Sequence, residues 1–229
     1  FRVHSFDSRG VASTAEDQLA VTAAMMMVDA VEPLKFLSNH PNIDPKRIAI
    51  TGWSLGGIVA FYSAWEPIME ILAPEGERFC AHLPIYPATF LQPDEHRWSK
   101  APILSLVGEV DDYTPASLVK DLTKQMQENG ANADVHEFKN GHHSFDSINP
   151  VTFWPDALAI REKFAQLASD GSINFTTDKG EVMSANSFED RVKIFETGEI
   201  VFGAHTGGEW QLRREAMAKA LDFMKKNLL

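Results

Sequence analysis

Ser54 stands in the stretch "IAITGWSLGGIVA", residues 48 to 60, with glycines at 52, 56 and 57 around it. A serine hydroxyl attacks carbonyl carbon well only when a base takes its proton and an acid orients that base. Downstream, "GEVDDYTP" offers Asp111 and Asp112, and "KNGHHSFD" offers His142 and His143. Nucleophile, acid and base in that chain order is an arrangement known for acyl transfer. The glycines fit a sharp turn from strand to helix, where side chains at 52 and 56 would collide with the sheet and the approaching helix. Such a turn lifts the Ser54 hydroxyl clear of the strand ends. It also aims the Leu55 backbone N–H at a developing oxyanion. Blander readings exist for each candidate. An aspartate pair before a helix is often a solvated cap. A histidine pair can be surface polarity or part of a metal site, although no zincin-like spacing accompanies it, and no metal is expected.

These side chains meet only if the right elements carry them. "RIAIT", 47 to 51, is apolar and β-branched without alternation, as in a strand buried on both faces of a parallel sheet, and "SLGGIVAFYSAW" is helix-compatible. "CAHLPIY" (80 to 86), "PILSLVG" (102 to 108) and "ADVHEF" (133 to 138) read as further strands. Pro115 opens a helix with Leu118, Leu122 and Met126 on its apolar face, and "ENG" stops it. Earlier, Thr14 with Asp17 resembles a capping box, and Leu19, Ala23, Met26, Ala30, Leu34 and Leu37 form a helical stripe. "EWQLRREAMAKALDFMKKNLL" is an amphipathic terminal helix. Strands alternating with helices predict a mostly parallel sheet with helices on both faces. Residues 147 to 208 break the rhythm. They suggest one helix around 156 to 169, then short strands about a turn at Asp178 to Gly180, and are read as an insertion or cover within a single domain, 1 to 229. Phe153, Trp154, Phe175 and Trp210 are candidates to line that cover.

Composition narrows the chemistry. With 229 residues, 44% apolar, the chain can bury one large core. A net charge of -11 argues against a nucleic acid or an anionic membrane surface as partner. Cys80 is the only cysteine, which excludes an intrachain disulfide and a multi-cysteine metal site; it reads as a buried apolar residue. No window has the length of a membrane span. His4, His82, His96, His136 and His205 stand apart from one another and read as structural.

At these motifs the sequence resembles the dienelactone hydrolase family. "HSFDSRGV" is similar to that family's D-S-F-x-x-R-G-V, with His4 where Asp is usual, and "IDPKRIAITGWSLGG" resembles the approach to its nucleophile. "FCAHLPIYP", "PILSLVGEVDDYTP" and "FKNGHHSFD" are similar to its next strand, acid loop and histidine loop. The resemblance implies an α/β-hydrolase fold and a triad of Ser54, Asp111 and His143, with Asp112 as the fallback acid and Leu55 as an oxyanion donor. It implies no cofactor. A serine where the type enzyme has cysteine implies an esterase-like member acting on a small ester or lactone. Two other readings stay open: a peptidase of the prolyl-oligopeptidase type, and a catalytically silent binding module on the same scaffold. The family carries further strands before "FRVHSFDSRG", so the sequence is expected to be part of a longer polypeptide, and its compartment is left open.

Overall fold

The computed structural model describes residues 1–12, 20–177, 179–185, 187–196 and 200–229. Thr14, Asp17, Leu19 and Asp178, named above, lie outside them. The order is α1 (Ala23–Ser38), β1 (Ala49–Trp53), α2 (Leu55–Tyr62), α3 (Glu66–Leu72), β2 (Ala81–Ile85), β3 (Leu91–Pro93), β4 (Ile103–Gly108), α4 (Ala116–Glu128) and β5 (Ala133–Phe138). Then follow β6 (Thr152–Ile160), β7 (Ala165–Leu167), β8 (Ile173–Thr176), β9 (Val182–Ser184), α5 (Phe188–Val192), β10 (Ile200–Thr206) and α6 (Trp210–Leu228).

β1, β2, β4 and β5 form one sheet in that order, every pair parallel. The central strands β2 and β4 are buried along their whole length, which explains their unalternating apolar sequences. Along β4, Ile103 and Val107 join a core with Val119, Leu122 and Met126 of α4. Leu104 and Leu106 face the other way, against Leu212 and Ala216 of α6. Both faces are thus covered. β1 departs from the expectation of burial on both faces: it pairs only with β2 among the described residues, and Thr51 is exposed.

Helix α1 starts later than the periodicity suggested. Thr22 is its N-cap, its hydroxyl accepting from Met25 N–H, and the deepest residues are Met27, Val31 and Leu34. Arg9 makes a two-pronged ion pair with Asp29 on this helix, at 2.6 and 3.0 Å.

The helix expected around 156 to 169 does not form. Residues there belong to β6 and β7, and the sign is alternation: Ala157 and Ala159 are buried, while Asp156 before them is exposed and Leu158 between them is only half-buried. Pairing with β10 outweighs the helix propensity of the alanines. The short strands near "INFTTDKGEVMSAN" do form, as the hairpin β8–β9. They extend a second sheet, β3-β7-β8-β9, that was not foreseen because β3 and β7 are only three residues long.

His82, the second residue of β2, is wholly buried and tied into the core. Its Nδ1 lies 3.0 Å from Ser63 Oγ and 3.2 Å from the Ala60 carbonyl. Burial pushes its pKa down to about 4. In the unfolded chain the ring titrates near 6.5, so between about 6.5 and 4 the unfolded state takes up a proton that the folded state refuses. Stability is therefore complete above pH 6.5 and is expected to fall by roughly 3 kcal/mol on acidification through that window. Urea unfolding of the wild type and His82→Gln at pH 7 and pH 5 checks this. The variant should lose less on acidification, and an identical loss would refute the account.

Candidate active site

β1 delivers Ser54 to the carboxyl end of the sheet. Ser54 adopts φ 52°, ψ −115°, a strained geometry for a residue with a side chain. Its N–H donates to Ile85 O at 3.0 Å, and its carbonyl accepts from Ile58 N–H at 2.9 Å, opening α2. A Cβ on residue 52 would stand 2.2 Å from the Gly56 carbonyl oxygen, and one on residue 57 would stand 2.6 Å from Ile85 O. Those two glycines let helix and strand approach. Gly56, expected above to prevent a collision, meets nothing within 4 Å on its Cβ side. Gly52→Ala is therefore expected to cost more than about 3 kcal/mol, because backbone must move. Gly56→Ala should be neutral or up to about 1 kcal/mol stabilising. Chemical denaturation of the two variants decides, and equal costs would reject this division of roles.

Asp111 follows β4 and is buried. Its Oδ1 accepts from Tyr113 N–H at 2.9 Å and Thr114 N–H at 2.8 Å, so it does organise the turn into α4, as the cap reading held. Its Oδ2 faces the imidazole: His143 Nδ1 is 3.0 Å away. On the other side of the ring, His143 Nε2 is 2.9 Å from Ser54 Oγ. Serine, imidazole and carboxylate thus form one continuous hydrogen-bonded line, with His143 and Asp111 almost wholly buried. Leu55, first in α2, has a backbone N–H with no acceptor inside the helix, beside the serine.

Several supports were not recognised in the sequence. The Thr114 hydroxyl donates to Asp111 Oδ2 at 2.9 Å and lies 3.0 Å from His143 Nδ1. Its only sequence signal is a hydroxyl three residues after the acid. Tyr86 and Tyr113 place their rings 4.7 and 4.6 Å from the imidazole centroid. Asp146 explains the "HSFD" motif: its Oδ1 accepts from Tyr86 OH at 2.9 Å and its Oδ2 from Trp53 Nε1 at 2.8 Å. The carboxylate fastens the histidine loop to the residue just before the serine. Phe145 fills the space beneath, fully buried against Tyr86 and Phe138.

The other members of each pair lie to one side. Asp112 accepts from His205 N–H at 2.8 Å and lies 2.9 Å from His205 Nδ1, on β10. Partial burial works to raise its pKa, but these hydrogen bonds outweigh it and hold the carboxyl below its usual range. His205 is therefore not isolated, contrary to expectation. Among the described residues, Asp112, His142 and His205 bring one ligand-capable atom each within 4.8 Å of one another, a set that could hold a metal. They come from three separate segments, so local spacing gave no hint of them. Trp154 and Phe175 line a cavity at Ser54, whereas Phe153 and Trp210 are exposed. Cys80 is half-buried just before β2, its Sγ 3.9 Å from the Asn227 carbonyl.

A sequence model of the dienelactone hydrolase family matches residues 6–163. The chain belongs to the dienelactone hydrolase family. Its fold is that of the α/β-hydrolases, and the parallel four-stranded sheet with its strand-turn-helix at Ser54 is the part that this membership explains. Among curated relatives, it is similar to the "Putative carboxymethylenebutenolidase" of Aquifex aeolicus (strain VF5), 31% identical over 101 residues, 44% of this chain and 40% of that one. It is also similar to the "Probable 2-oxo-3-(5-oxofuran-2-ylidene)propanoate lactonase" of Bradyrhizobium sp, 24% identical over 163 residues. The chain spans 40% and 64% of the lengths of these two relatives. Among solved structures, esterase 2 of Thermogutta terrifontis phosphorylated by paraoxon aligns with TM-score 0.48 and 20% identity over 55% of each chain. An α/β hydrolase from a Medee basin deep-sea metagenome library aligns with TM-score 0.41 and 24% identity, over 52% of this chain and 50% of that one. Among the described residues, no helix of this dienelactone hydrolase family member is long and apolar enough to cross a membrane.

Proposed function

We propose that this protein hydrolyses a carboxylic ester or lactone through an acyl-enzyme on Ser54, with His143 as general base and Asp111 as the acid that orients it. The observation that carries the reading is the 2.9 Å approach of His143 Nε2 to Ser54 Oγ, with Asp111 Oδ2 3.0 Å from the ring's other nitrogen.

The chemistry follows from those contacts. His143 Nε2 takes the Ser54 proton as Oγ bonds to the carbonyl carbon, and the carbonyl electron pair moves onto oxygen. The Leu55 N–H, at the positive end of α2, faces that oxyanion. As the tetrahedral centre collapses, the C–O bond to the alcohol breaks and His143 returns the proton to the leaving oxygen. In a lactone that oxygen stays tethered, so the ring opens. Water then repeats the sequence on the acyl-enzyme. Asp111 holds the Nδ1–H tautomer and stabilises the imidazolium, and Thr114 steadies Asp111.

Membership in the dienelactone hydrolase family and the name of the Bradyrhizobium relative support an ester or lactone as the bond attacked. The experiment is labelling with a fluorophosphonate, read by intact mass and peptide mapping. One adduct on Ser54 that is lost in His143→Ala is expected. An unlabelled wild type would favour the silent binding module, and faster turnover of an aminoacyl amide than of a short p-nitrophenyl ester would favour a peptidase.

A further inference from the structure

We infer that the ester taken by this site carries an extended apolar chain, which lies in a cavity built by the segment after the histidine loop. The inference rests on the hydrolase reading above and goes further by naming what surrounds the reacting bond.

Ser54 and His143 open into a cavity of about 560 Å³. One wall is Leu55 and Ile58 of α2. Another is the second sheet, where Phe175 of β8 stacks with Phe164, the residue just before β7, at 5.5 Å between centroids. Trp154 and Ile160 of β6 help to close it, so strands on both sides of the cover contribute. Among the described residues, the lining contains no carboxylate and one formally charged side chain, Arg191, whose guanidinium sits 5.8 Å from the centre of the Phe188 ring.

Shape and chemistry both bear on the occupant. A methylene needs about the room of a water in the liquid, roughly 30 Å³, so a ten-carbon chain needs about 300 Å³ and fits with space to spare. A small polar acyl group would leave most of this apolar wall unfilled. Conversely, each methylene that moves from water to such a wall favours binding by up to about fourfold. A chain is thus recognised by length, with Ser54 at the mouth of the cavity fixing where the carbonyl sits. A cationic tail meets no counter-charge among the described lining residues, whereas an anionic tail has a single candidate partner, the Arg191 guanidinium, so a carboxylate-ended chain is the competing occupant.

The test is a pair of substrate series on the wild-type protein. One varies the acyl group of p-nitrophenyl esters from acetate to laurate, and the other varies the alcohol of alkyl acetates over the same lengths. In at least one series kcat/KM is expected to rise about a hundredfold from two to eight carbons. Ile160→Trp, whose melting temperature is compared with wild type, should move the optimum to shorter chains. Three results overturn the inference. One is a flat or falling profile beyond butyrate in both series while short esters are cleaved, which leaves the triad reading intact. Another is a preference for an acyl chain ending in carboxylate over its methyl-ended equivalent. The third is no cleavage of any ester together with no phosphonate adduct, which overturns the hydrolase reading itself.

Discussion

Ser54→Ala is expected to lower kcat on a cleavable ester by up to roughly a million-fold, with little change in thermal stability. The size follows from the triad acting as a unit. Without the oxygen, the imidazole 2.9 Å away has no proton to accept, and only substrate binding and the Leu55 N–H remain. The second residual is small but not zero, since positioning and oxyanion contacts persist. Alanine takes the same backbone geometry at 54 as serine, so a melting curve close to wild type separates lost chemistry from lost fold. A fall of only a few-fold would end the assignment of Ser54 as nucleophile.

Asp111→Asn is expected to lower kcat by about ten-thousand-fold, whereas Asp112→Asn should stay within about tenfold. The amide at 111 can donate towards His143 Nδ1, which favours the tautomer with its proton on Nε2, the nitrogen that must accept from serine. It also removes the negative charge that stabilises the imidazolium. Asp112, by contrast, is engaged with His205 and reaches the site only through the cover. Steady-state kinetics on the two variants decide between Asp111, the acid that the family resemblance implies, and Asp112, its fallback. The reverse ranking would transfer the role to Asp112 and require the loop to rearrange.

The serine turn was legible because its physics is local. A strand, glycines on either side of one serine and a helix occupy consecutive residues, and the structure returns each of them. The acid and histidine loops were legible by position, since β4 is an unambiguous apolar run and β5 a short alternating strand, and the two end a few residues before Asp111 and His143. What the sequence hid depends on partners distant in the chain. Asp112, His142 and His205 meet across three segments, and Asp146 joins residues 53 and 86. The cover was misread where alanines in β6 imitate a helix, because only pairing with β10, some forty residues later, selects the strand. Gly56 was a subtler error: the motif demands compactness, yet the contact falls on Gly52 and Gly57.

Among the described residues, four other than glycine have positive φ: Ser54, Tyr86, Asn140 and Ser144. All four border the serine or the histidine loop. Conformations of this kind cost about 1 to 3 kcal/mol each, a sizeable part of the margin by which an ordinary domain stays folded. Selection for heat tolerance alone would therefore relax these loops before it touched the sheet. Any lineage that grew hardier by that route would loosen the alignment of Ser54 with His143 first.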